Sequence, residues 1–243
     1  MTMNILYAVA VLFTAISANI AGTQDINVVS FNMNGSDANV AAVAEMVKDE
    51  SPAIIGIVEC PDNLRSLKAA LPDYDAAGKG SNQIFYLRGS LTAGNVEKVG
   101  PKTIKVSFTV TDSGRTFDVF NAVIGKADGV EPARQILDAT ADGTPSIILC
   151  TVNASPAGTF GSSQTNPNVI LRQKYSDGRY SSISTDETPS LHRYGEGKGS
   201  TIDFIYYSPE FLGMHFRVLS KSYAGVEYMS DHYPIRDIIR FKN

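Results

Sequence analysis

The sequence of 243 residues predicts an α/β (α+β) domain in which two packed mixed β-sheets carry helices on their outer faces. Apolar, β-branched runs of strand length recur from residue 26 to residue 241, and segments with helical periodicity lie between them. After residue 25 there is no internal repeat, no linker and no clear second domain, although residues 153–200 are rich in Ser, Thr, Gly and Pro. A chain of this length can bury a sizeable core without disulfides or metals.

The elements follow in order from hydrophobic patterning and from the residues that end each pattern. A first helix after Ser36 or Asp37 places Val40, Val43 and Val47 on one face, and Asp62 can cap a second helix. The turn at residues 112–114 (DSG) predicts a hairpin between its two flanking strands. Strands are predicted at residues 26–31, 54–58, 83–88, 103–111, 116–124, 146–150, 201–207 and 235–241, with further helices at 132–139 and 169–175.

The amino-terminal segment differs from the rest of the chain, because residues 1–24 carry no charge and residues 5–20 are almost wholly apolar. Such a core followed by small residues is typical of a secretory signal peptide. We therefore expect a signal peptide at 1–22, a mature domain at 25–243, and a secreted or extracytoplasmic protein with no stable membrane span after cleavage. Residues 1–4 lack Lys and Arg, so an uncleaved anchor and a buried first helix stay open.

Net charge and cysteine content argue against two classes of protein, those that coat nucleic acid and those with a zinc site. The net charge of −4 argues against a protein that coats nucleic acid, since such proteins usually carry a basic surface, although a local basic cleft is compatible with it. Cys60 and Cys150 form either one disulfide or two buried thiols. No pairs of histidines accompany them, so there is no zinc signature.

Polar side chains fall at or beside the ends of the apolar strands, where they cost free energy unless they are paired or bound. If the strands share one core, these groups converge at one edge of it. Carboxylates, amides and a histidine together suit a hard cation such as Mg²⁺ and a phosphate. The alternative is that each residue only caps a helix or forms a turn. The residues are Asn32, Glu59, Asn153, Asp203, Asp231 and His232.

Four segments carry a more specific resemblance. They are residues 30–34 (SFNMN), 52–59 (PAIIGIVE), 200–205 (STIDFI) and 230–234 (SDHYP). In this order and spacing they resemble the motifs of the endonuclease/exonuclease/phosphatase superfamily, whose fold is like that of deoxyribonuclease I. The resemblance covers residues 25–241 and implies a four-layer sandwich. It further implies hydrolysis of a phosphoester, in nucleic acid, a phospholipid or an inositol phosphate, by a monomer.

The resemblance also implies roles for individual residues. Asp203 would orient His232, the histidine beside the scissile phosphate, and Asn153 would bind a phosphate oxygen or the attacking water. By the same resemblance, one Mg²⁺ or Mn²⁺ ion would be held by Glu59, Asn32 and Asp231, the catalytic group would be His232, Asp203 and Asn153, and the substrate contacts would be Asn32, Asn153 and His232.

Two positions depart from the superfamily pattern. Thr151 stands where an aspartate usually orients or deprotonates the attacking water, and a threonine is no base near neutral pH. Val123 stands where much of the superfamily has a histidine, and valine cannot donate to a phosphate. The sequence therefore predicts a secreted phosphoester hydrolase, of nuclease or phosphatase type, with weakened or altered activity. A noncatalytic binding protein on the same fold, a pseudoenzyme, stays open, and so does the question whether the chain is an enzyme.

Overall fold

The computed structural model describes residues 25–35, 39–60, 64–125, 129–140, 142–154, 156 and 165–243. The predicted signal peptide and the predicted caps at Ser36, Asp37 and Asp62 lie outside these residues. Within the described ranges, no helix is both long and apolar enough to cross a membrane.

The chain folds into two mixed β-sheets, each with one central parallel pair flanked by antiparallel strands. The parallel pairs are β1 (Asp25–Asn32) with β2 (Ile54–Val58) and β7 (Thr116–Ile124) with β8 (Ser146–Val152). In spatial order the first sheet contains β11 (Phe211–Gly213), β13 (Ile235–Phe241), β1 (Asp25–Asn32), β2 (Ile54–Val58), β4 (Asn82–Leu87) and β3 (Tyr74–Lys79), and β12 (Arg217–Val218) also pairs with β13. The second contains β5 (Leu91–Gly100), β6 (Thr103–Val110), β7 (Thr116–Ile124), β8 (Ser146–Val152), β10 (Asp203–Tyr207) and β9 (Ser176–Asp177).

Helices cover the outer faces of both sheets. The helices are α1 (Val40–Glu50), α2 (Leu64–Ala70), α3 (Val130–Asp138), α4 (Pro167–Leu171) and α5 (Gly178–Ser181), with a 3₁₀ turn at Arg193–Gly195. Side chains of α1 and α2 pack on β1, β2 and β4, while those of α3 and α4 pack on β7, β8 and β10. The predicted four-layer arrangement of two mixed sheets between helices is therefore confirmed.

The main core lies between the sheets and contains a cluster of phenylalanine rings. The ring of Phe117 lies 6.0 Å from that of Phe108, 6.2 Å from that of Phe211 and 5.9 Å from that of Phe241. Such offset and edge-on pairs add to the apolar burial. Every residue of β8 is buried, because its two faces meet the inner core and the helical layer. This double burial explains its continuous apolar sequence.

The two cysteines belong to different layers. Cys60 packs with α1 and α2, whereas Cys150 packs with α3 and α4, so both sheets separate them. Both thiols are free and buried, which excludes the disulfide alternative in this structure. Burial raises the pKa of Cys60 to about 12 and that of Cys150 well above its ordinary value.

The sequence patterns missed strands β3, β5, β9, β11 and β12, most of which are short or lie at a sheet edge. Edge strands bury little apolar surface, so their patterning is weak. The helix predicted at 169–175 instead begins at Pro167 and ends at Leu171, because the side chain of Asn166 accepts from the N–H of Asn168 and caps it earlier. The strand predicted at 201–207 begins at Asp203.

Gly56, on β2 of the first sheet, lies directly against side chains of the second sheet. A Cβ there would lie 2.7 Å from Leu149 Cδ1 and 2.8 Å from Asn121 Oδ1. We expect Gly56→Ala to lower the free energy of unfolding by about 1–3 kcal/mol through overpacking, measured by urea denaturation. Gly94→Ala on the exposed strand β5 is the matched control, since its Cβ would meet nothing closer than 3.4 Å. Equal losses in both variants would contradict this prediction.

Candidate functional site

The polar strand ends meet at one edge of the sandwich. Asn32 ends β1, and Glu59 follows its parallel neighbour β2. β10 runs antiparallel to β8, which puts Asp203 at the start of one beside Thr151 near the end of the other. β13 runs antiparallel to β1 with Ile235 opposite Ser30, so the segment before β13 reaches the same edge.

A continuous chain of hydrogen bonds joins four buried side chains across the two sheets. The amide Nδ2 of Asn32 donates to Thr151 Oγ1 at 3.3 Å, and Thr151 Oγ1 donates to Asp203 Oδ1 at 2.6 Å. The other oxygen of Asp203 lies 2.8 Å from Nδ1 of His232. None of the four residues is more than 6% exposed. Buried polar groups linked in this way hold one another in a single arrangement.

The contact with Asp203 decides the state of His232. A carboxylate only accepts hydrogen bonds, so Nδ1 carries a hydrogen, and Nε2 is directed to the other side, 3.9 Å from Asp231 Oδ1. Burial by itself lowers the pKa of His232. The hydrogen bond to Asp203 and the negative charges of Asp203, Asp231 and Glu59 together outweigh burial and raise that pKa above its ordinary value.

This raised pKa predicts a pH-dependent stability. A raised folded-state pKa contributes stability that is fully present below the unfolded value of about 6.5 and is lost as the pH rises through the folded pKa. We therefore expect the difference in unfolding free energy between the wild type and His232→Gln to shrink as the pH rises above 6.5, measured by urea denaturation. His215→Gln serves as the control histidine variant. A difference that stays constant or grows would contradict the prediction.

Glu59 has an unusual backbone conformation. Its φ of 49° lies in the left-handed region, which costs a non-glycine residue roughly 1–2 kcal/mol. Hydrogen bonds from Met33 N to Val58 O at 3.0 Å and from Gly35 N to Glu59 O at 2.7 Å hold the turn after β2 against the turn after β1. The half-buried carboxylate of Glu59 accepts no hydrogen bond from the described residues. A strained backbone is typical of binding and catalytic sites, and here it presents a carboxylate that no described residue pairs.

Two pockets meet at Asn153. A pocket of about 210 Å³ is lined by Glu59, Val123 and Asn153, among others. A wider pocket of about 540 Å³ on the other side of Asn153 is lined by Leu191 and Arg193. Asn153 itself is exposed, so its amide is free to meet a ligand.

A residue that lines the wider pocket also pairs with the backbone of His232. Leu191 forms an isolated β-bridge with His232, which connects this wall of the pocket to the hydrogen-bonded chain. The cavity and the buried polar groups therefore belong to one region of the molecule. Concave pockets with a few convergent polar groups are the usual form of small-molecule sites.

No protein-family model matches the chain, and no curated protein matches it by sequence. Several solved structures do match the chain. An endonuclease/exonuclease/phosphatase family protein from Bacteroides thetaiotaomicron matches with a TM-score of 0.74 and 20% identity, over 91% of this chain and 99% of its own. The endonuclease/exonuclease/phosphatase from Bacteroides vulgatus matches with a TM-score of 0.74 and 17% identity, over 90% and 100%. The chain has the endonuclease/exonuclease/phosphatase fold.

Two other proteins with the endonuclease/exonuclease/phosphatase fold have more specific names. A mannosyl-6-phosphatase from Bacteroides thetaiotaomicron has a TM-score of 0.74 and 20% identity, over 88% of this chain and 99% of its own. The catalytic domain of human Nocturnin, solved with a bound sulfate anion, has a TM-score of 0.67 and 15% identity, over 90% and 94%. The predicted resemblance in fold is thus confirmed, and the roles of the individual residues stay predictions.

On this endonuclease/exonuclease/phosphatase fold, the three predicted metal ligands lie at the same edge of the sandwich but do not form a closed cluster among the described residues. Within the described part of the chain, no three His, Cys, Asp or Glu side chains gather as a metal site. Asn32 Oδ1 accepts from Asn34 N at 2.8 Å, and Asp231 Oδ1 accepts from Ser230 Oγ at 3.2 Å. Glu59 is the ligand candidate whose carboxylate is left without a hydrogen bond by the described residues.

Sequence reasoning missed several side chains at this edge of the endonuclease/exonuclease/phosphatase fold. Lys102, in the turn between β5 and β6, and Thr103, the first residue of β6, line the smaller pocket. This turn could not be recognised because β5 itself was not predicted. His192 stacks 4.6 Å from the ring of Tyr228 and 3.9 Å from that of Tyr233, and its buried ring nitrogens have no partner among the described residues.

Proposed function

We propose that the protein is a secreted, metal-dependent phosphoester hydrolase of nuclease or phosphatase type, with weak or altered activity. The observation that supports this proposal is the buried chain from Asn32 through Thr151 and Asp203 to His232, beside a pocket lined by Glu59 and Asn153. A preorganised histidine, a carboxylate that no described residue pairs and an exposed amide suit a phosphate whose charge must be stabilised during attack by water.

His232 is the group best placed to meet that charge. Asp203 holds Nδ1, so Nε2 is the nitrogen free to donate to a phosphate oxygen when the ring is protonated. The raised pKa keeps the ring protonated to a higher pH than an ordinary histidine. The amide of Asn153 can donate to a second phosphate oxygen from the shared wall of the two pockets.

The donors fit one Mg²⁺ or Mn²⁺ ion. Mg²⁺ prefers oxygen ligands, usually needs only one or two carboxylates, and keeps several waters, so the lack of a closed protein cage does not conflict with it. Glu59 would be the principal ligand because its carboxylate has no hydrogen bond from the described residues, and Asn32 and Asp231 would assist. When bound, the ion would neutralise charge that develops on the phosphate.

Two side chains limit activation of water. Thr151 gives its one hydroxyl hydrogen to Asp203, so it offers the attacking water no base. Val123 lines the smaller pocket with apolar atoms, where a donor would help to bind the phosphate. The remaining groups are therefore better suited to bind a metal and a phosphate than to deprotonate water.

The substrate class proposed is a phosphoester in nucleic acid, a phospholipid or an inositol phosphate. A phosphomonoester gains support from the fold neighbours, since one is named a mannosyl-6-phosphatase and another holds a sulfate, an anion shaped like phosphate. We further propose that the protein acts as a monomer outside the cytoplasm after cleavage near residue 22. The mass of the protein released by a secreting host tests the cleavage.

The proposed activity is tested by hydrolysis of DNA, phospholipid, inositol phosphate and sugar phosphate substrates with Mg²⁺ or Mn²⁺. Glu59→Gln and His232→Gln are expected to reduce the rate to that of metal-containing buffer, because each removes a group placed at the phosphate. Glu210→Gln, an exposed glutamate, and His215→Gln are the matched controls and should keep the wild-type rate. Equal rates for all five proteins would overturn the proposal.

A second candidate function is noncatalytic binding of a phosphorylated ligand. The hydrogen bond from Thr151 to Asp203 favours it, because this bond occupies the position from which water would be activated. Thermal melting with millimolar Mg²⁺ and phosphate separates the two functions, since a ligand that binds the folded state raises the melting temperature. Noncatalytic binding would be favoured if Mg²⁺ and phosphate raise the melting temperature of the wild type but not that of Glu59→Gln. The wild type would then also hydrolyse no substrate faster than this variant.

A further inference from the structure

A basic pocket adjoins the candidate site. It has a volume of about 220 Å³ and lies between the turn that joins β3 to β4 and the turn that joins β5 to β6. Lys79, the last residue of β3, lines it from one side, and Lys98 of β5 and Lys102 of the second turn line it from the other. Among the described residues that line this pocket, none is an aspartate or a glutamate.

Hydrogen bonds fix this pocket relative to Glu59. The carbonyl of Ser81, in the first turn, accepts from Cys60 N at 2.8 Å, directly after Glu59. Asn82, which is only 5% exposed, donates through Nδ2 to the carbonyl of Lys102 at 2.8 Å. The β3–β4 turn and the first residue of β4 therefore connect the backbone directly after the proposed metal ligand to the backbone of Lys102.

The basic pocket shares a wall with the candidate site. Residues 101–103 line both it and the smaller pocket that contains Glu59 and Asn153. Within this shared wall, Thr103 Oγ1 is buried and has no hydrogen-bond partner among the described residues. A ligand that extended from one pocket into the other would pass Lys102.

No described residue forms an ion pair with these lysines. No carboxylate of the described residues lies within 4 Å of Lys79, Lys98 or Lys102, whereas Lys105 on the neighbouring strand contacts Glu97 at 3.1 Å. The whole chain has a net charge of −4, so a cluster of unpaired lysines is not explained by composition. Like charges held together repel one another, and a bound anion would remove that cost.

From this arrangement we propose that Lys79, Lys98 and Lys102 form a second anion subsite, and that the substrate is a small molecule with a second phosphate besides the one hydrolysed. This proposal rests on the proposed function, because it places the reacting phosphate beside Glu59. A small bisphosphate fits better than a nucleic-acid strand. Binding of nucleic acid rests mainly on Lys and Arg side chains that neutralise many backbone phosphates, and three lysines on an acidic chain supply few such contacts.

Calorimetric binding of fructose 1,6-bisphosphate and fructose 6-phosphate, with millimolar Mg²⁺, tests the subsite. We expect the wild type to bind the bisphosphate about tenfold more tightly. The exposed ion pairs of Lys79 and Lys98 with the second phosphate would each contribute about half of this difference in binding free energy. Lys79→Gln/Lys98→Gln should lose this preference and keep its affinity for the monophosphate. Lys48→Gln/Lys68→Gln removes the same charge from exposed positions on α1 and α2 and should keep the preference.

Several outcomes would overturn the subsite. One is equal affinity of the wild type for the two sugars, and another is an equal loss of preference in both double variants. Tighter binding of a short single-stranded oligonucleotide, abolished by Lys79→Gln/Lys98→Gln, would assign the lysines to a strand backbone instead. If the monophosphate binds without any preference for the bisphosphate, only the subsite fails. If neither sugar binds and Glu59→Gln leaves turnover unchanged, the proposed function fails as well.

Discussion

Thr151→Asp is expected to raise the rate of phosphoester hydrolysis by about a hundredfold or more. A carboxylate at this position can take a proton from water, and general-base assistance contributes roughly 10²- to 10⁴-fold. The new carboxylate would lie near the end of β8, beside Asn32 and Asp203, at the present position of the threonine hydroxyl. The measurement is the initial rate on the best substrate of the panel with Mg²⁺.

The same change is expected to lower stability when no divalent cation is present. Thr151 Oγ1 is 2.6 Å from Asp203 Oδ1, so the substitution would bring two buried carboxylates together. At an effective dielectric constant near 20 and a separation of about 4 Å, their repulsion is about 4 kcal/mol. The penalty should appear above the ordinary aspartate pKa of about 3.9 and decrease when Mg²⁺ is added.

Thr151→Asn is the matched control, because asparagine has the shape of aspartate without its charge. It should show neither the gain in rate nor the loss of stability that depends on the cation. If Thr151→Asp is no faster than Thr151→Asn while both remain folded, the missing base is not what limits the protein, and the noncatalytic function gains.

Asp203→Ala is expected to lower the free energy of unfolding by about 3–5 kcal/mol near pH 6, as removal of one partner of a buried charged pair does. The substitution would leave the hydroxyl of Thr151 and Nδ1 of His232 without their acceptor in a region closed to water. Urea denaturation measures the loss, and titration of His232 by NMR should show that its pKa falls.

Asp203→Asn is the matched variant for this second prediction. It keeps an oxygen that can accept from Thr151, so it should lose less stability than Asp203→Ala, but it removes the charge that raises the pKa of His232. A pKa of His232 that is the same in the wild type and in Asp203→Asn would contradict the role assigned to the pair.

Much of the fold could be predicted because the central strands are fully buried on at least one face. Strands β2, β8 and β13 read as continuous or alternating apolar runs between clear boundaries, and each was placed within a few residues. Strand β5 was missed although it spans Leu91–Gly100, since most of its residues are exposed. Hydrophobic patterning records burial, so it is weakest at sheet edges.

The candidate site was predictable only as a set of residue types at strand ends. The sequence indicated that Asp203 and His232 act together through a resemblance, and the structure places them 2.8 Å apart. It did not indicate that Thr151 joins them to Asn32, because the partners of a hydroxyl depend on which strands become neighbours. Strand order is set by long-range packing and has no local signal.

By itself, the sequence determined the strand ends, the order of the motifs and the two side chains, Thr151 and Val123, that cannot perform the usual chemistry. Only the tertiary structure decided that Cys60 and Cys150 are separated, and that Lys79, Lys98 and Lys102 surround one pocket beside Glu59. One physical difference separates what the sequence determined from what the structure decided. Chemical identity belongs to each residue alone, whereas proximity arises when two sheets far apart in sequence pack face to face.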